Sequence, residues 1–267
     1  MNKILKSLSK NDAIIVKNYG KKSPEELMKL TKLNMADYRG RTASLSKKGL
    51  ILTKATLKKI NAPKNTYTND SGVMKNNCRN VIIDYIVDSG LTGTVLSLPF
   101  ETCVFERSLL KKSGENFNFV GVEKNELTYK KMLITSVREN IDMECIHGDF
   151  SDVIKKGGQY DHIFADWCSQ VNSLSTDIKT ILNNKMVKVG GIFAFTVQNR
   201  AHEKKNGILK LMNSLNPVGL FDNKHVENGV RTFVLKESGY NFSLERVVTY
   251  KDDEKQAMIM VLLKRIK

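Results

Sequence analysis

The sequence predicts an α/β fold: a mostly parallel sheet of about seven strands that closes with an antiparallel hairpin, preceded by a small helical unit. Three observations carry that expectation. Short apolar runs at residues 94–98, 117–122, 143–146, 162–165 and 192–197 alternate with stretches of helical length and period, the pattern of right-handed β–α–β crossovers. Two further β-rich runs, 242–250 and 256–263, are separated only by Lys251-Asp252-Asp253-Glu254-Lys255, a hairpin pattern. Polar residues recur where the strands are expected to end: Glu123, Asp149 and Asp166. In open parallel sheets the ligand crevice lies outside the carboxyl ends of the strands.

Taken in order, residues 12–18 read as a short helical or extended lead. Ser23-Pro24-Glu25-Glu26 is a helix start, with a Ser N-cap, Pro at the first helical position and Glu three residues after the cap. Leu27, Leu30 and Thr31 share one face of that helix. Asn34 is placed to cap a second helix over residues 36–48, with Tyr38, Thr42 and Leu45 on one side. Gly49 ends it, and Leu50-Ile51-Leu52 is expected to begin an extended segment. Residues 61–73 are polar, carry Pro63 and Gly72, and make the best linker in the chain. The expected division is therefore a basic module at 1–61, a linker at 62–75 and a main domain at 76–267.

In the main domain, residues 76–89 place Val81, Ile82, Tyr85 and Ile86 at helical spacing, a helix covering the sheet and stopped by Gly90. The first strand runs into an unusual turn, Pro99-Phe100-Glu101-Thr102-Cys103, followed by a helix over 105–112. Gly148-Asp149-Phe150 follows the third strand, Asp166-Trp167-Cys168 closes the fourth, and Gly190-Gly191 turns the chain into the fifth. Beyond it come a polar loop at 198–206, a helix at 208–212, an irregular stretch at 216–223 and a helix at 226–237 stopped near Gly239.

Composition excludes several classes. No apolar run approaches the ~20 residues that span a bilayer, and the N-terminus lacks the apolar core of a secretory signal. The four cysteines are dispersed without a C-x-x-C pair, and the four histidines are scattered; neither a metal site nor a disulfide framework is expected, and a reducing cytoplasmic setting fits best. The net charge of +15 is uneven: residues 1–70 carry +11 of it. Such a concentrated positive field attracts polyanions, nucleic acid first among them. A lysine-rich solubilising surface is the plainer alternative.

Residues 23–51, with their Glu-Glu-Leu helix, short turn, second helix and closing Lys47-Lys48-Gly49-Leu50-Ile51, resemble a helix-turn-helix of the winged-helix kind. The resemblance implies that the second helix lies against a groove of DNA or RNA, with Arg39, Arg41, Lys47 and Lys48 as contacts. Its lysines would neutralise phosphates, while its arginines could also read base edges. A helical hairpin packed on the main domain or on a protein partner is the alternative.

Residues 76–267 resemble the class I S-adenosylmethionine-dependent methyltransferases, a Rossmann-like fold with five parallel strands and a terminal hairpin. The resemblance implies S-adenosylmethionine as cofactor. In Val120-Gly121-Val122-Glu123, Glu123 stands where the family's acidic residue holds the ribose hydroxyls, with Lys124 beside it. Asp149 matches the residue that takes the adenine amino group, and Phe150 could flank the ring. Asp166 and Trp167 fall in the reaction-site motif, Asp166 to orient or deprotonate the acceptor and Trp167 to stack on a target base. Cys168 lacks the Pro-Cys context of a cytosine-C5 nucleophile and is expected to be buried.

The first cofactor motif departs from the family. Its acidic position is Ser97, followed by Leu98, and its glycine positions are Pro99, Glu101 and Cys103. Residues with a Cβ resist positive φ and fill ligand space, and Pro99 removes an N–H donor. Glu101 is a candidate to meet the cofactor's ammonium group. The function implied is nucleic-acid methyl transfer directed by the N-terminal module; the alternative is a catalytically silent, methyltransferase-shaped nucleic-acid-binding factor.

Overall fold

The computed structural model describes residues 3–53, 56, 73–114, 117–198, 223–252 and 256–267. Seven strands form one sheet: β1 (Gly93–Ser97), β2 (Phe117–Glu123), β3 (Met143–His147), β4 (Tyr160–Gln170), β5 (Val187–Gln198), β6 (Phe242–Asp252) and β7 (Gln256–Arg265). Their order is β3-β2-β1-β4-β5-β7-β6. The first five pair in parallel, and β7 enters antiparallel between β5 and β6. The expected strands and hairpin are all present. The longest revision is in β4, which runs on past Asp166: pairing with β5 breaks after Asp166–Thr196 and resumes at Gln170–Gln198.

Ten helices accompany the sheet among the described residues. They are α1 (Lys3–Ser7), α2 (Lys10–Asn18), α3 (Pro24–Thr31), α4 (Met35–Lys47), α5 (Val73–Asp88), α6 (Val104–Ser113), α7 (Glu126–Arg138), α8 (Phe150–Lys155), α9 (Val171–Asn183) and α10 (Asn223–Ser238). The strands bury both faces, which is why they read as apolar runs rather than alternating ones. Val122, Ile163, Phe195 and Val261 pack with α8, α9 and α10 on one face. Phe119, Phe164, Ala194 and Met260 pack with α5, α6 and α7 on the other. Gly191 lets the fifth strand close on the fourth, because a Cβ there would stand 1.9 Å from the Asp161 carbonyl oxygen.

The N-terminal helices form a third core around Ile15, Leu27, Tyr38, Leu45 and Ile51. Ser23 and Glu26 make the expected capping box, and Asn34 caps α4 through the Asp37 N–H at 2.8 Å. Leu30 is exposed, so the apolar face of α3 is Leu27 and Thr31. The lead segment is helical. Leu50 and Ile51 do not begin a strand: they fold back as a buried turn, with Leu50 N–H bonded to Leu45 O at 3.0 Å. No strand occurs among the described residues 3–53, apart from a single bridge between Tyr19 and Lys22.

This helical unit is packed on the sheet domain. Leu133 and Val137 of α7 complete its core. Arg138, in the last turn of α7, donates from Nε to Val16 O at 3.0 Å and from Nη2 to Tyr19 O, meeting the carbonyl-rich end of α2. The helix expected from residue 76 starts at Val73, inside the expected linker. Residues 62–72 of that linker, the loop at 199–206, the helix at 208–212 and most of the irregular stretch at 216–223 lie outside the described residues.

Candidate functional site

The site is assembled at the carboxyl ends of β1, β2 and β3. Gly148 N–H bonds to Glu123 O at 3.1 Å, which ties the end of β2 to the turn after β3. The Glu123 side chain is half-buried, and its Oε1 accepts from the Asn125 backbone N–H at 2.7 Å. Burial pushes its carboxyl above the usual range, against the pull of the Asn125 and Lys124 N–H groups and of Lys124 and His147. A carboxylate partly withdrawn from water and fixed by one oxygen is a directed acceptor for hydroxyl groups. Asn125 in turn caps α7 through Thr128 N–H at 3.0 Å, so the strand end, loop and helix start are one hydrogen-bonded unit.

Asp149 caps α8, its Oδ1 accepting from Ser151 N–H at 2.9 Å. Its Oδ2 lies 3.9 Å from Lys124 Nζ, whose side chain is 77% exposed. Glu123, Lys124 and Asp149 are therefore neighbours across β2 and β3. Phe150 belongs elsewhere. It is 5% exposed and packs edge-on against Trp167, with ring centroids 5.6 Å apart.

The loop from Leu98 to Cys103 keeps a tight turn without glycine. Phe100 and Cys103 adopt positive φ, 54° and 49°, at a cost of about 1–3 kcal/mol each. Ser97, wholly buried, donates from Oγ to the equally buried Glu106 Oε1 at 2.7 Å. The first turn of α6 thus places a carboxyl group against the end of β1, closed off from solvent. Leu98 packs against the core on the α8–α10 face. Pro99 is buried over Gly121, where a Cβ would stand 2.8 Å from Pro99 Cγ. Glu101 turns to α7: its carboxylate meets Lys131 Nζ at 2.7 Å, and its carbonyl accepts from Thr135 Oγ1 at 2.7 Å.

Asp166 is not an open acid or base. Its carboxylate lies 3.1 Å from Lys75 Nζ and 3.0 Å from Arg79 Nη2, both residues 7% exposed, and accepts from Thr196 Oγ1 at 2.6 Å. Burial pushes its carboxyl up, and Lys75, Arg79 and the Thr196 hydroxyl more than reverse this, holding it below its ordinary value. A proton acceptor so stabilised as an anion is a poor base; its geometry instead holds two cations in place. Trp167 is 7% exposed among Phe150, Phe193 and Phe195, so its ring is core and offers no face to a target base. Burial pushes the Cys78 and Cys145 thiols up to about 11, which removes them as nucleophiles. The Cys168 side chain lies outside the described residues.

The basic candidates also divide. Arg39, Lys47 and Lys48 are exposed on or just after α4. Arg41 is engaged within the module, with Nη1 3.0 Å from Asp12 Oδ1 and 3.1 Å from Ser9 Oγ.

Lys75 and Arg79 escaped the sequence reading because nothing local marks them; they meet Asp166 only through the fold. His147 was also missed. It pairs in register with Glu123, its ring stacks on Tyr129 at 4.9 Å, and its Nε2 lies 3.2 Å from Lys124 O. Its place as the last residue of β3 was the available signal. Among the described residues no cluster of acidic, His or Cys side chains could hold a metal ion, and no helix is long and apolar enough to cross a membrane.

No family model and no curated relative matches the sequence. Solved structures do match the fold. The O-methyltransferase TomG of Streptomyces achromogenes, in complex with S-adenosylmethionine, is 11% identical, with 74% of this chain and 83% of that one covered and a TM-score of 0.50. Trm1 of Pyrococcus horikoshii, also with S-adenosylmethionine, is 13% identical over 78% of this chain and 59% of its own, with a TM-score of 0.53. A candidate RNA methyltransferase of the same organism is 11% identical, with coverage of 80% and 97% and a TM-score of 0.50. At these identities the likeness establishes the architecture, a Rossmann-like methyltransferase fold, and function has to be argued from the site.

Proposed function

We propose that the chain is an S-adenosylmethionine-dependent methyltransferase acting on nucleic acid, brought to DNA or RNA by its basic N-terminal module. The observation that carries this reading is Glu123: a half-buried carboxylate, fixed by Asn125 N–H, at the end of β2 in a sheet of this order. It would accept the two ribose hydroxyls. Asp149, with Oδ1 engaged by Ser151 and Oδ2 toward Lys124, would take the adenine amino group. When bound, the cofactor supplies a methyl group activated by its sulfonium.

The adenosine half fits the residues present; the methionine half meets an altered loop. Pro99 offers no N–H there, and Glu101 is committed to Lys131, so the ammonium contact expected of Glu101 is withdrawn. Asp166 is reassigned from base to positioning residue for Lys75 and Arg79. Phe150 and Trp167 serve the core beneath the crevice. In the N-terminal module the helix-turn-helix part of the reading rests on α3, the turn at Asn34 and α4, while residues 50–53 supply no wing strand; Arg39, Lys47 and Lys48 are its contacts, with Arg41 in a supporting ion pair. The whole assembly, module at 1–61 and methyltransferase-like domain at 76–267, would work in the cytoplasm.

Transfer of tritiated methyl from S-adenosylmethionine to RNA or DNA pools tests the reading. Incorporation into either polymer, lowered at least about tenfold by Glu123→Ala at cofactor concentrations below saturation, is expected. Pro99 seated on Gly121 favours a second reading, a silent scaffold that binds nucleic acid without cofactor. Nucleic-acid binding with no incorporation and no cofactor affinity would establish it instead.

A further inference from the structure

The docking of the N-terminal module on α7 creates a surface that neither unit has alone. Gly49, directly after the exposed Lys47 and Lys48, stands against α7: a Cβ there would lie 3.8 Å from Leu133 Cδ2. One turn back along α7 is Lys130, on the same side as Leu133, in an ion pair with Glu126 at 2.5 Å. Adjacent is Tyr129, whose ring stacks on His147 with an interplanar angle of 20°. His147 is exposed, and its Nε2 meets the carbonyl of Lys124, which is itself exposed beside Glu123 and Asp149. From Leu133 to the start of α7 is about 10 Å.

We propose that this face, from the end of α4 along α7 to the tip of β3, binds single-stranded nucleic acid, with the Tyr129–His147 pair as a stacking platform for a base. The inference deepens the nucleic-acid reading above and rests on it. Lysines at both ends and along the path track phosphates. Lys130, whose partner Glu126 is on the surface, can exchange that carboxylate for a phosphate. Tyr129 covers one face of the His147 ring, and the exposed imidazole accepts a base in continuation of the stack. A duplex keeps its bases stacked internally and cannot use such a platform. The path ends beside Glu123 and Lys124, at the rim of the crevice given above to the adenosine moiety.

Fluorescence anisotropy with a labelled oligouridylate of about 12 nucleotides tests this on the full chain. His147→Ala and Tyr129→Ala are each expected to weaken binding by roughly 5- to 100-fold, while Tyr129→Phe, which keeps the ring, binds as wild type. Lys130→Gln lowers the salt dependence by about 0.7 in log–log slope. His147 is exposed, so its variant folds even where Tyr129→Ala does not. Wild-type affinity in both aromatic variants, with binding lost on replacing Arg39, Lys47 and Lys48, overturns the platform and leaves the module's nucleic-acid role standing. A duplex of equal length bound more tightly than the single strand also overturns it, as does equal competition by poly-glutamate. No binding to any nucleic acid removes the underlying reading as well.

Discussion

Ser97 Oγ donates to Glu106 Oε1 across 2.7 Å, and neither residue is reached by solvent. The pair joins the end of β1 to the first turn of α6 and so spans the glycine-free loop between them. A hydrogen bond contributes about 0.5–1.5 kcal/mol net, and leaving a buried polar group unsatisfied costs about 1–3 kcal/mol. Ser97→Ala and Glu106→Ala should each lower the unfolding free energy by at least about 1 kcal/mol in urea titrations. The double variant should lose less than the sum, because the partners are in contact. Additive losses would show that the two groups are energetically separate.

Pro99 and Gly121 make a second, steric joint. A Cβ at Gly121 would stand 2.7 Å from Met143 Sδ and 2.8 Å from Pro99 Cγ. Gly121→Ala should therefore destabilise by about 1–3 kcal/mol through overpacking and displace the loop. Denaturation midpoints report the first effect. Cofactor affinity reports the second, and it should fall by more than stability alone explains.

Asp166 separates the two roles considered for it. As a base it would be dispensable to folding; as the anchor of Lys75 and Arg79 it is not. Asp166→Asn leaves two buried cations without their shared carboxylate, and breaking a buried ion pair costs about 3–5 kcal/mol. A melting temperature unchanged by that substitution would return Asp166 to the list of acids and bases.

His162 sets a pH dependence. Its Nδ1 accepts from Ile192 N–H at 3.3 Å and its Nε2 faces Thr92 O at 3.1 Å, and burial holds its imidazole below the ordinary value. In the unfolded chain the ring takes up a proton below about pH 6.5. Between the folded and unfolded values the unfolded state binds more protons, so stability rises with pH through that window. Unfolding free energy should fall as pH drops below about 6.5, and His162→Gln should flatten that slope.

Much of the fold was legible because it is encoded locally. Apolar runs such as residues 192–197 follow from strands buried on both faces, and the Ser23–Glu26 capping box and the Asn34 cap follow from residue types at fixed spacing. Glu123 and Asp149 were legible as strand-end positions. What could not be read is what the fold brings together. Arg79 reaches Asp166 across 87 residues of sequence, and Arg138 reaches Val16 across 122. Phe150 and Trp167 sit in motif positions, yet core packing claims both rings. The turn at Leu50 looked extended because Leu-Ile-Leu has strand propensity, and burial against Leu45 and Val137 overrode it.

The central claim is that Glu123 holds the sugar of an adenosine-containing cofactor. Isothermal titration of folded protein with S-adenosylmethionine, repeated on Glu123→Ala, tests it most directly. The account predicts measurable binding to the wild type and at least about a tenfold loss in the variant, the equivalent of one charge-assisted hydrogen bond. Equal affinity in the two proteins, or no heat from the folded wild type at high cofactor concentration, would contradict it.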